Sequence, residues 1–374
     1  MTAARLIWQF AILGFGLAMS TVQASSFETA KPFDHARLAH QVLEKHVMPG
    51  YEKLASAAKG LSQAIDRYCA QPSRTLPKSV GKAFDDFVVA WGRVEHINFG
   101  PITKANRPER ILFFPDRRGL GARQVSRALQ TRDPDVTDVQ KLASKSVALQ
   151  GLSALEIVLF QDRGGKPEAP EAQDHRCRFA LAISGNLQAR SQEILNEWKQ
   201  EDGFRRLLLN PGPDNPQFFK PSEVTQVLAK SLDQGLERIR EERIAGPLGF
   251  GKQKRRLPAV LERSGRTFRL TTANIEGLRD LYTTGGMQQA IIGTGRAKGV
   301  INLQSNAKLV LSEINTAHTI SKRLVSVPKP FDDPDISVRL ISMGFPLKNA
   351  RAQLTTLMAA TAGLTLGFNS SDGD

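Results

Sequence analysis

At 374 residues and 41% hydrophobic content, the chain is long enough to build two hydrophobic cores, which sets the expectation of two domains. Its 51 basic and 37 acidic residues leave a net charge of +14, but the basic residues are scattered and aromatics reach only 7%. That dispersal argues against a nucleic-acid surface. No segment after the first residues is long and apolar enough to span a bilayer, so the chain is not read as an integral membrane protein.

Residues 1–24 read as a signal peptide. Arg5 supplies the positive charge, Leu6 to Ala18 the apolar run, and Val22-Gln23-Ala24 the small-residue cleavage site before Ser25. The expectation is a mature chain exported from the cytoplasm, most simply to a bacterial periplasm. Leu38, Val42, Leu43 and Val47, then Tyr51, Leu54, Ala58, Leu61, Ile65 and Tyr68, recur at helical spacing around Pro49-Gly50. One long helix kinked at Pro49, or two helices end to end, fits both runs. The next helix is predicted over 79–98, with Phe84, Phe87, Trp91 and Val94 on its core face and Glu95 at the edge of that face. Residues 100–120 read as an irregular loop that ends in Phe113-Phe-Pro-Asp-Arg-Arg-Gly119, long enough to cover a cleft. A helix over 136–160 comes next, and another over 175–200.

The stretch Asn210-Pro-Gly-Pro-Asp-Asn-Pro216 cannot be helix or strand and marks the domain boundary. The expected division is an N-terminal bundle over 25–209 and a C-terminal bundle over 217–374. The second half has helical patterns near 221–245, 271–282, 298–325 and 349–366. Cleanly alternating strands are absent. The reading is an all-α fold of two helical-bundle domains, each of roughly four helices. The two cysteines, Cys69 and Cys177, form an even pair in an oxidising compartment and read as a disulfide. Closing so long a loop contributes about 4–5 kcal/mol in the chain-entropy account.

The stretch Leu149-Gln-Gly-Leu-Ser-Ala-Leu-Glu-Ile-Val-Leu-Phe160 carries the strongest chemical signal, because Ser153 and Glu156 stand where hydrocarbon is expected. Glu156 lies four residues after Leu152 and shares its face. A carboxylate buried among leucines needs a partner charge, a proton or a metal. A salt bridge to Arg93 or Arg117 that sets helix register and a ligand-binding pocket both meet that need.

In order along the chain, Pro49-Gly-Tyr51, Tyr68-Cys69, Trp91 with Phe99-Gly-Pro101, Phe114-Pro-Asp-Arg117, Gly151-Leu-Ser-Ala-Leu-Glu156, Asn274-Ile-Glu-Gly-Leu-Arg-Asp-Leu-Tyr282 and the tail Leu366-Gly-Phe-Asn-Ser-Ser-Asp-Gly-Asp374 resemble the imelysin-like proteins. These are exported helical proteins classed with metallopeptidases and associated with iron uptake. The resemblance covers nearly all of the mature chain. It implies two helical-bundle domains with a site in the first, near their contact. The family signature is Gly-x-His-x-x-Glu, and here the His position holds Ser153. A hydroxyl is a poor ligand for iron or zinc beside an imidazole, so a metal role falls to Glu156.

None of the six histidines forms HExxH, and His40 and His46 are off register for one helical face. The expected function is therefore a non-catalytic component that binds a metal or other ligand and is linked to iron acquisition. Its cargo would be iron or another divalent or trivalent metal. Ser153 and Glu156 would form the pocket floor, and Glu95, His96, Asp116 and Arg117 its walls. The alternatives are an imelysin-type metallopeptidase and a scaffold that meets an envelope protein partner in iron uptake.

Overall fold

The computed structural model describes residues 30–72, 75–160, 169–250, 256–327 and 329–366. The leader, most of the basic run Lys252–Arg256 and the tail after Leu366 lie outside the described residues. Helices α1 (His35–Val42) and α2 (Met48–Ala70) are joined without a break by a π turn, Leu43–Val47. Pro49 has no N–H to continue an α ladder, and the extra residue of a π turn absorbs that defect just before it. The 43–51 segment is therefore one bent helical path, as the spacing around Pro49 suggested.

Helix α3 (Lys78–Val94) is next. The 100–120 segment is more ordered than expected, with a 3-10 stretch at Gly100–Asn106, α4 (Arg107–Ile111) and then α5 (Leu120–Thr131). Phe99 anchors its start edge-on against Trp198 at 6.1 Å between ring centroids.

The single helix expected over 136–160 is broken into a 3-10 turn at Pro134–Thr137, α6 (Val139–Ser144), a 3-10 turn at Val147–Leu149 and α7 (Gly151–Phe160). Side chains that compete for backbone N–H groups restart the chain twice: Asp138 accepts from Gln140 and Lys141, and Ser146 accepts from Ala148. Gly151 then takes φ +76°, and a Cβ there would lie 2.6 Å from the carbonyl oxygens of Arg110 and Ile111. Leu149 is thus outside the helix that carries Glu156.

The remaining helices are α8 (Pro170–Lys199), α9 (Phe204–Leu209), α10 (Pro221–Arg238), α11 (Gly246–Leu248), α12 (Thr267–Tyr282), α13 (Met287–Gly293), α14 (Leu303–Leu324) and α15 (Pro334–Ala362). A second π turn, Ile239–Ala245, links α10 to α11. Helix α15 starts at Pro334, well before the expected 349. Asp333 caps it by accepting from Asp335 and Ile336, and buried Leu340, Met343 and Leu347 hold it on both sides of Pro346. That packing offsets the hydrogen bond an internal proline removes. No β-strand occurs among the described residues, and the fold is all-α.

Helix α2 packs on α8 and α3, and Cys69 at the end of α2 is bonded to Cys177 in α8 with their Cα atoms 5.5 Å apart. In the C-terminal part α14 lies along α15, α12 on α14, and α10 on α15. The two parts meet where α3 crosses α12, and one continuous cluster of buried apolar side chains runs through both. The crossing is close because Gly277 faces the Arg93 carbonyl and Gly92 faces Ala273.

Gly277→Ala would push a methyl into the Arg93 backbone and is expected to lower stability by about 1–3 kcal/mol. Gly60→Ala has no atom within 4 Å of the new methyl, so it should be neutral or raise stability by about 0.5–1 kcal/mol. Urea unfolding of the two variants side by side checks this, and equal midpoints would refute the tight crossing.

Candidate functional site

Glu156 is buried on α7, and its Oε1 accepts the Ser264 backbone N–H at 2.8 Å and the Ser264 hydroxyl at 2.7 Å. Burial pushes its carboxyl above the usual range, against the pull of those two hydrogen bonds and of Arg263 and Arg266. The partner is therefore a serine on the 259–266 segment. Arg93, one of the two arginines considered for this role, pairs instead with Glu276 and Asp280. Ser153 donates to the Phe113 carbonyl at 3.0 Å and ties down the loop beyond it.

A metal fits these positions poorly. The Ser153 proton is committed to a carbonyl, one Glu156 oxygen already holds two donors, and no imidazole stands at the signature position. Among the described residues no group of three His, Cys, Asp or Glu side chains gathers as a ligand set.

Polar groups concentrate instead at the C-terminal end of α3. Glu95 caps that helix and is engaged on both oxygens, Oε1 by Arg243 Nη2 at 2.7 Å and Oε2 by Asn274 Nδ2 at 2.8 Å. Arg243 is 1% exposed and its guanidinium lies over the Phe114 ring, 4.7 Å from the centroid. Arg238 donates to the Glu95 carbonyl at 3.2 Å. Glu242 lies 3.5 Å from Arg243 Nη1, and burial raises its carboxyl against the pull of Arg243, Arg238 and Arg117. Removing one member of a buried ion pair typically costs about 3–5 kcal/mol, because the other charge is left uncompensated.

His96, next along the chain, turns the other way. Its Nε2 meets His46 Nε2 at 2.9 Å, and its backbone carbonyl accepts from Ser231 at 2.7 Å. Burial is the main cause that lowers both imidazoles, His46 to about 4 with help from Arg93, and His96 well below its ordinary value with help from His46 and Arg238. His46 comes from the first π turn and Arg243 from the second. The end of α3 is thus held between two π turns, each supplying one buried polar side chain. Four buried polar atoms of these residues have no protein hydrogen-bond partner: His96 Nδ1, Asn274 Oδ1, and Nε and Nη1 of Arg243.

The six sequence candidates therefore divide. Glu95 and His96 share the α3 end, and the Phe113–Arg117 loop reaches the same region through Phe114 and Arg117. Glu156 and Ser153 have other partners. Asp116 caps α5, its two oxygens accepting from Leu120 and Gly121 at 2.8 Å each. Sequence reasoning missed Arg243, Glu242, Asn274, His46 and Ser264 as site residues. Asn274 was visible inside a quoted motif, whereas nothing local marks Arg243 as buried.

This arrangement defines a class, an all-helical protein whose polar centre lies where its N-terminal and C-terminal helices cross. Two solved structures share the fold. An imelysin-like protein from Psychrobacter arcticum matches with a TM-score of 0.72 at 19% identity, over 90% of this chain and 100% of the other. A protein called an iron-regulated protein A precursor, from Parabacteroides distasonis, matches with a TM-score of 0.65 at 12% identity, over 89% and 97%. Residues 47–333 match the imelysin (peptidase M75) family model, and the chain belongs to that family. The curated relative "Iron-regulated protein A" from Synechococcus elongatus is 22% identical over 210 residues, covering 55% of this chain. The chain spans about half, 53%, of that relative's length. Among the described residues no helix is long and apolar enough to cross a membrane.

The buried groups have opposite pH signatures. A carboxyl raised by burial stabilises the fold at low pH, and that contribution is lost as pH rises through its elevated folded-state value. Glu156→Gln keeps an acceptor for Ser264 and removes the charge. Its melting temperature should match the parent near pH 4 and exceed it increasingly towards about pH 8. Glu156→Ala strands both Ser264 donors and should cost about 1–3 kcal/mol across that range.

For the histidines the sign reverses. A lowered imidazole pKa gives stability that is present above the ordinary value of 6.5 and lost as pH falls towards about 4. Ring-nitrogen NMR of His46 and His96 should show no titration between about pH 6 and 8. A midpoint inside that window would contradict their burial.

Proposed function

We propose that this chain is an exported imelysin-family protein that serves iron acquisition as a non-catalytic binding component. Its binding region is the α3 end, with Glu95 and His96, beneath the Phe113–Arg117 loop. The observation that carries this reading is the state of the family signature: Ser153 replaces the histidine and donates to the Phe113 carbonyl, while Glu156 is held by Ser264. A hydrolytic zinc site needs three protein ligands, an open position and a base, and these side chains do not supply them.

Export draws support from the leader-like first 24 residues and from the Cys69–Cys177 bond, since disulfides persist in oxidising compartments. The link to iron rests on relatives named as iron-regulated proteins. At the α3 end, buried polar atoms without protein partners and a raised Glu242 carboxyl mark a region whose polar capacity is not used up internally. The Phe113–Arg117 loop, pinned by Ser153 below and by the Asp116 cap above, would form the cover.

The test is metal analysis and iron titration of the purified mature chain, with free ferric iron and with chelated iron in parallel. Glu242→Gln is expected to weaken binding at least tenfold and Glu156→Gln to leave it unchanged. No iron bound by the parent in either form would refute the reading. Chelator-sensitive cleavage of an unfolded protein substrate would replace it with the peptidase alternative.

A further inference from the structure

A separate pocket lies on the other side of the His46–His96 pair. It has a volume of about 190 Å³ and is lined by Lys45, His46, Lys53, Arg93, Asp280 and Thr284. Lys45 and Lys53 lie eight residues apart with Pro49 midway, so the π turn and the start of α2 present both ammonium groups on one face. Both lysines are exposed, and neither forms an ion pair among the described residues. The acids beside them in sequence point elsewhere: Glu44 pairs with Arg205 at 2.7 Å and Glu52 with Lys199 at 3.7 Å. Asp280 on the opposite wall is paired at 2.8 Å with Arg93, which it shares with Glu276. Against this one lining carboxylate stand Lys45, Lys53 and Arg93, so an excess of positive charge remains along the wall.

The imidazole adds direction to that charge. His46 Nε2 is committed to His96, which leaves Nδ1 as the ring nitrogen able to meet an occupant. Two neutral imidazoles joined Nε2 to Nε2 share one N–H between them, and the placement of that proton decides what each outer nitrogen carries. If His46 were the donor, His96 would carry its proton on Nδ1, which is buried without a partner. An orphaned buried donor is rarer than an under-used acceptor. His96 therefore donates, and His46 carries its own proton on Nδ1. The second, deeper histidine thus sets the first as a neutral hydrogen-bond donor facing a cationic pocket.

We propose that this pocket binds a small oxyanion, held by the Lys45 and Lys53 ammonium groups, the His46 Nδ1–H and the Thr284 hydroxyl. The shared chemistry is a phosphate or the carboxylate end of a small organic acid. The pocket is smaller than the several hundred Å³ typical of larger organic ligands. Oxyanion binding here is independent of the iron-acquisition reading, because the titrants carry no metal.

The test is calorimetric titration of the full mature chain in low-salt, phosphate-free buffer near pH 7, with inorganic phosphate in one arm and citrate in the other. Saturable binding of one anion is expected, and the arm that responds names the source. Lys45→Glu and Lys53→Glu are surface changes that should each weaken binding at least tenfold while leaving the melting temperature unchanged. The His46 Nδ1 resonance should move on saturation. The proposal is overturned if neither anion gives saturable heat, or if both lysine variants bind as the parent does. A His46 resonance indifferent to a bound anion would overturn it too.

Discussion

The structure depends on how closely α3 approaches α12. At Gly277 the α12 backbone lies against the Arg93 backbone, and at Gly92 the α3 backbone lies against the Ala273 methyl and the Leu270 carbonyl, so neither glycine position leaves room for a side chain. That distance brings Asn274 within 2.8 Å of the Glu95 carboxylate and 2.9 Å of the Gly92 carbonyl. Once the crossing is made, the end of α3 is removed from water, and its charged residues must find partners inside the protein. Arg243 answers Glu95, and His46 answers His96.

Both answering residues come from π turns. An α-helical register places side chains every 100°, and the extra residue of a π turn rotates the side chains beyond it to a new face. Each turn is followed by a proline two residues on, Pro49 after the 43–47 turn and Pro247 after the 239–245 turn, so each precedes a residue with no N–H for the α ladder. On the second path the irregularity is matched by the buried ion pair it makes possible. Outside this centre, α2 and α8 are bonded through Cys69 and Cys177, whose separation of 108 residues closes a long loop in the unfolded chain.

The imelysin signature helix has a different place in this molecule from the one its residues suggested. With serine at the third position, the motif becomes a pair of tethers: Ser153 to the 113–117 loop and Glu156 to the 259–266 segment. Each tether spans distant parts of the chain, and Glu156 links the N-terminal helices to the C-terminal ones. The polar centre that remains unexplained by tethering lies at Glu95 and His96.

The amino-acid sequence by itself determined the helical class, the near-absence of strand signals, the Pro49 irregularity, the Cys pairing and the family. These are local or compositional properties, readable from spacing and residue type. It also marked Glu156 as out of place among apolar neighbours and Glu95 as lying at the edge of a core face. The partners of those residues and of His96 were beyond its reach: Ser264 is 108 positions from Glu156, Arg243 148 positions from Glu95, and His46 50 positions from His96. The break before Gly151 escaped for a related reason, since the carbonyls that exclude a side chain there belong to Arg110 and Ile111. Only the tertiary structure could decide which buried charge met which, because burial is created by helices crossing, and a crossing leaves no periodic mark in either helix.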